Sequence, residues 1–160
     1  MKSLILATAL ALLAGGALAA DGDAVYRTHY PNLQGTPTPL ATLRGKPAVV
    51  NFWARWCAPC RKEIPELNAL ADQAGDRLSV VGIAIEDHSA NAIDFAKAYE
   101  IAYPVAFAGP GDGIALMKVL GNELGGLPFT VVLDADGKVI YRKTGLLKPE
   151  DLAEATAGLL

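Results

Sequence analysis

Apolar and polar positions along this chain alternate between two kinds of pattern. Ala48 to Trp53 (Ala-Val-Val-Asn-Phe-Trp) is an almost continuous β-rich apolar run, as in a strand buried on both faces. From Cys57 to Ala74 the period becomes helical, with Cys60, Leu67, Leu70 and Ala74 on one stripe that Ile64 and Ala71 widen. Glu63 falls on that stripe, whereas Arg61, Lys62, Asn68, Asp72 and Gln73 take the other side. Pro65 cannot donate to the carbonyl of Arg61, so a kink is expected there.

Gly75-Asp76 ends the helix, and Leu78 to Ile85 predicts a second buried strand. Ser89 to Glu100 predicts a helix capped by Ser89, with Ile93 and Phe95 among its apolar residues. Pro104 to Phe107 reads as a short strand, Gly109 to Gly113 as a loop, and Ile114 to Leu120 as a short helix. Phe129 to Leu133 is a further strand, the turn Asp134-Ala135-Asp136-Gly137 follows, and Lys138 to Thr144 pairs back antiparallel. Pro149 to Leu159 closes the chain as a helix. Strands alternating with helices before a final hairpin specify an α/β fold in three layers, its sheet carrying one antiparallel segment.

The amino-terminal part reads differently. Met1 to Ala20 has one charge, Lys2, then an apolar core from Leu4 to Leu13 and small residues ending Ala17-Leu18-Ala19-Ala20. This is the pattern of a secretory signal peptide over residues 1–20, cleaved after Ala19 or Ala20, with an uncleaved anchor as the alternative. Asp21 to Arg44 has no period and is punctuated by Tyr30-Pro31-Asn32 and Gly35-Thr36-Pro37-Thr38-Pro39. Residues 21–39 are therefore expected to be an irregular lead-in running over the surface, before one folded domain at 40–160.

Composition narrows the function. Without Lys2 the chain has 13 basic and 17 acidic side chains and no basic block, which argues against nucleic acid or an anionic membrane surface as partner. An exported protein meets an oxidising compartment, yet this one has two cysteines, Cys57 and Cys60, separated by two residues. A bridge over so short a loop stabilises by well under the ~3 kcal/mol of a loop of about 15 residues. Reactivity explains the pair better than cross-linking does.

Cys57 lies where the buried strand gives way to the helix. A helix N-terminus offers unpaired N–H groups and partial positive charge, and both favour the thiolate that attacks a disulfide. Arg55 and Arg61 are expected to add to that field. Cys57 would then exchange with a client disulfide, and Cys60, one step inside the helix, would resolve the mixed disulfide. A structural zinc site lacks ligands, since His29 and His88 lie outside any ligand pattern and are expected at the surface. Haem attachment would need histidine where Arg61 stands. No metal and no cofactor beyond the redox-active disulfide is expected.

The run Val49 to Pro65, including Trp53-Ala54-Arg55-Trp56-Cys57-Ala58-Pro59-Cys60-Arg61-Lys62-Glu63, resembles the thioredoxin superfamily. Within it, the run resembles the exported bacterial subgroup typified by TlpA, ResA and the cytochrome c maturation thioredoxins. Gly126-Leu127-Pro128-Phe129-Thr130 resembles the family's cis-proline segment, and the likeness extends over about Leu40 to Leu160. The resemblance implies a thioredoxin-like α/β/α fold with a mixed sheet and a carboxy-terminal hairpin plus helix. It also implies a cis bond before Pro128, and substrate contacts from Trp56, Pro59, Leu127 and Pro128. Cytosolic thioredoxin has a buried aspartate where Asn51 stands here, so another group must handle the proton of Cys60. Glu63, on the interior stripe, is the candidate catalytic residue beside Cys57 and Cys60. The segment Glu86 to Phe107 looks like the insertion that marks the exported subgroup.

The resemblance further implies a monomeric periplasmic oxidoreductase. It would be kept reduced by a membrane thiol transporter and would reduce client protein disulfides, as in cytochrome c or copper-site maturation. The same dithiol could work as a general oxidant. A thiol peroxidase would need a hydroxyl where Ala54 stands, and a Sco-type copper carrier would need its cysteines three residues apart.

Overall fold

The computed structural model describes residues 22–160, and the expected signal peptide lies outside them. In chain order the elements are α1 (Asp23–Tyr26), β1 (His29–Pro31), β2 (Pro37–Pro39), a 3-10 turn (Leu40–Leu43), β3 (Ala48–Trp53), α2 (Ala58–Ala74) and β4 (Ser79–Ala84). There follow α3 (Ala90–Ala98), β5 (Val105–Phe107), α4 (Gly109–Val119), β6 (Phe129–Leu133), β7 (Val139–Thr144) and α5 (Pro149–Ala155).

All six residues of β3 are buried, as its unbroken apolar run requires of a central strand. The five-stranded sheet has the order β5-β4-β3-β6-β7. β3, β4 and β5 run parallel, β6 lies antiparallel to β3, and β7 antiparallel to β6. Side chains alternate between the two faces. Val50, Phe52, Ile83 and Val131 face one side, under Leu116 and Met117 of α4 and Leu120 just past its end. Val49, Val80 and Val132 face the other, against Leu67 and Leu70 of α2 and Leu152 of α5. At the carboxy ends of the parallel strands, Trp53, Ala84 and Phe107 form a third cluster with Ala92 and Ala96 of α3 and with both cysteines. This is the thioredoxin-like α/β fold.

Three local expectations need correction. Residues 22–44 are not irregular: β1 pairs antiparallel with β2, and Val25, Tyr26, Tyr30 and Leu40 are buried in the core. The proline and glycine punctuation belongs to the hairpin's turn, where Asn32 Oδ1 accepts the N–H groups of Gln34 and Thr36. The hairpin's apolar residues help cover the α4 side of the sheet. Gly109 to Gly113 is the first turn of α4 and not a loop. A Cβ at Gly113 would lie 2.5 Å from Ile85 Cδ1, so glycine there serves close packing. The last helix stops at Ala155, and turns carry the chain on toward Leu159.

Candidate active site

β3 delivers the chain to the cysteine motif. Past Trp53 the Cys57 N–H donates to the Ala54 carbonyl at 3.0 Å, turning the backbone into α2. Cys57 is the N-cap of α2 in extended conformation, and its Sγ accepts the Cys60 N–H at 3.3 Å. The sulfur thus occupies the place of a capping oxygen, satisfying an orphan helix donor. Pro59 sits in the first turn, where its missing N–H costs nothing. Cys57 and Cys60 form a disulfide, with 4% and 1% of their surfaces exposed.

Around them, Trp56 is 66% exposed and Pro59 is exposed. The Leu127–Pro128 bond is cis, as expected. Half-buried Leu127 packs against the cluster that holds both cysteines. Its approach is set by Asn122, a residue not singled out from sequence. Asn122 Nδ2 donates to the Gly126 carbonyl at 2.7 Å, and its Oδ1 accepts the Gly126 N–H at 3.2 Å. An asparagine four residues before a glycine pair's end was the available signal.

Glu63 is 1% exposed on the inner face of α2, not a surface carboxylate paired with Arg61 or Lys62. Its Oε1 accepts an N–H of Asn51 Nδ2 at 2.7 Å, and its Oε2 accepts the Leu147 N–H at 2.8 Å. Asn51 Nδ2 also donates to Thr130 Oγ1 at 3.0 Å, tying β3, β6 and α2 together. Burial opposes the anion and outweighs these two donors, so the carboxyl is raised from 4.5 to about 7. Tyr103 shares this environment: burial, and then the Glu63 charge, push its phenol above the ordinary range. Cys60 and Glu63 stand three residues apart on one helix face, at neighbouring positions.

Arg55 does not present a free cation beside Cys57. Glu86, just past β4, accepts the Arg55 N–H on Oε2 at 3.0 Å and the guanidinium Nε–H on Oε1 at 2.9 Å. Arg61 Nη1 reaches the Arg55 carbonyl at 3.4 Å. His29 and His88 are exposed, as expected. Among the described residues no helix is long and apolar enough to cross a membrane, and no group of three His, Cys, Asp or Glu could hold a metal ion.

A capped, disulfide-forming cysteine pair at the head of a helix, beside a cis-proline loop on this fold, defines a thiol–disulfide oxidoreductase. The Redoxin family model matches residues 20–159, and the chain belongs to that family. It is 31% identical over 123 residues to the thiol-disulfide oxidoreductase ResA of Bacillus cereus, covering 76% of this chain and 68% of that protein. It is 38% identical over 109 residues to the thiol:disulfide interchange protein DsbE of Escherichia coli, covering 66% of this chain and 54% of that protein. Among solved structures, a secreted Mycobacterium tuberculosis disulfide oxidoreductase matches with a TM-score of 0.68 at 28% identity, covering 84% of this chain and 97% of that one. A DsbF homologue from Corynebacterium diphtheriae matches with a TM-score of 0.71 at 31% identity, covering 82% and 83%. The enzyme is a thiol–disulfide oxidoreductase of the ResA/DsbE type.

Proposed function

We propose that this protein is a periplasmic reductase of specific protein disulfides, exported by the leader at residues 1–20 and recharged by a membrane thiol transporter. Apocytochrome c and copper-site maturation proteins are the client classes proposed. The observation that carries the reading is Glu63: a buried carboxyl with a pKa near neutrality, one helical step from the resolving cysteine.

In the reduced enzyme the Cys57 thiolate attacks one sulfur of the client disulfide. A Cys57–client S–S bond forms, the client S–S bond breaks, and the departing client sulfur leaves as a thiolate that takes up a proton. Cys60 then passes its proton to the Glu63 carboxylate and attacks Cys57 Sγ. The Cys57–Cys60 bond forms, the second client thiolate leaves, and two electrons have passed from enzyme to client. Leu127, held against the cysteines, offers its backbone to an extended client, and exposed Trp56 and Pro59 meet the client's flanking residues.

The equilibrium of the Cys57–Cys60 couple with glutathione tests the direction. A potential near the thioredoxin value of about −270 mV supports the reductase, whereas one near about −120 mV makes the protein an oxidant.

A further inference from the structure

We propose that Glu86 is a positioning residue that neutralises Arg55 beside the nucleophile and so holds the Cys57–Cys60 couple toward its reducing end. The geometry is two-pronged. Ile85 N–H closes the parallel ladder by donating to the Trp53 carbonyl at 2.9 Å, where β3 leaves the sheet. The next donor on that strand, the Arg55 N–H, has left the ladder, and the Glu86 carboxylate receives it in place of a strand carbonyl. The second carboxylate oxygen takes the guanidinium Nε–H of the same residue.

The two partners differ in exposure. The Glu86 side chain is 11% exposed and that of Arg55 49%. A carboxylate so buried is retained at a cost unless it is hydrogen-bonded and paired, and here it is both. Its other anchor is the backbone: the Glu86 carbonyl accepts the Gly109 N–H at 3.0 Å, fixing the β4 end to the start of α4. The acceptor therefore sits in the bend just past β4, tied to the start of α4, and the cation on the loop that carries Cys57.

The consequence for chemistry has a definite sign. An uncompensated guanidinium two residues before Cys57 would favour its thiolate and hence the reduced dithiol, making the couple more oxidising. Pairing with Glu86 removes most of that field. Other charges nearby are Arg61, at the Arg55 carbonyl, Glu63, on the inner face of α2, and Asp94, which lines one groove with Arg55 and Trp56.

A double-mutant cycle on the exported, processed enzyme tests the inference, which rests on the couple being a reducing one. The readouts are the equilibrium constant with glutathione at pH 7 and the pH midpoint of Cys57 alkylation. Glu86→Gln keeps an acceptor for the Arg55 N–H but loses the charge. It should shift the constant toward the reduced dithiol three- to tenfold, about 14–30 mV at 29.6 mV per decade, and lower the alkylation midpoint. Arg55→Met leaves Glu86 unpaired and should shift both readouts the opposite way. The double variant should return to within about twofold of wild type. A purely structural clamp would lower Tm in both single variants and move the two potentials in the same direction or not at all, and either result overturns the inference. If Glu86→Gln does not fold, the sign of the Arg55→Met shift decides alone. A wild-type potential on the oxidising side would defeat the reductase reading while leaving opposite-signed shifts fully readable.

Discussion

Asn51 Nδ2 lies 2.7 Å from Glu63 Oε1, and this one bond joins the middle strand of the sheet to the inner face of the helix that carries both cysteines. The amide donates to the charged carboxyl and so favours it, but burial dominates and leaves the group at about 7. Glu63 is thus poised to change protonation near neutral pH. For Glu63→Gln we expect release of the client from the Cys57 mixed disulfide to slow about a hundredfold, the low end of general-base effects. Its inflection near pH 7 should vanish. Stopped-flow rates from pH 5 to 9 make the check, and an unchanged profile would remove Glu63 from the proton path. Asn51→Ala withdraws a donor from the anion, so the same inflection should move upward.

The same carboxyl links stability to pH. Its folded pKa lies above its unfolded value, so its contribution is fully present below about pH 4.5 and is lost as pH rises through about 7. The loss is on the order of 3 kcal/mol across that window. Urea unfolding of the oxidised protein at pH 4.5 and pH 8 should show the decline, and Glu63→Gln should flatten it.

Cys60→Ser should trap a mixed disulfide between Cys57 and a client peptide, because the resolving thiolate is gone. Cys57→Ser should form no adduct, since Cys60 is 1% exposed. Intact mass after incubation with a peptide disulfide distinguishes them; adducts on the Cys57→Ser variant would reverse the assigned roles.

Gly82 pairs with Asn51 across the sheet, and a Cβ there would lie 2.8 Å from Trp53 Nε1 and 2.9 Å from Tyr103 Cε2. Both are atoms of buried rings, which cannot swing aside as a chain end would. Gly82→Ala should cost about 1–3 kcal/mol by overpacking, read as a fall in Tm.

Much of this was legible in the sequence because the decisive elements carry strong local patterns. The β3 run predicts its own limits, and the Cys57 to Ala74 stripe placed Glu63 on the buried side of α2. What failed was long-range. Val25, Tyr26 and Leu40 are too sparse to show a period, and only the sheet they cover makes sense of them. Gly113 reads as a loop residue because its reason, Ile85, lies far off in the sequence, just past β4. Glu86 lies just past a buried strand and reads locally as a loop charge, while its partner lies 31 positions earlier. Thr130 and Leu147, which complete the setting of Asn51 and Glu63, join it from β6 and from the segment before α5. Pairings of that kind have no signature within a single window of sequence.

The central claim is that Cys57 reacts as a thiolate held by the amino end of α2. Its most direct test is the rate of iodoacetamide alkylation of the reduced protein against pH, with the labelled cysteine identified by mass. The account predicts labelling at Cys57 with a midpoint well below the free-thiol value of about 8.5, and little at Cys60. Labelling at neutral pH no faster than that of an unstructured cysteine peptide would contradict it.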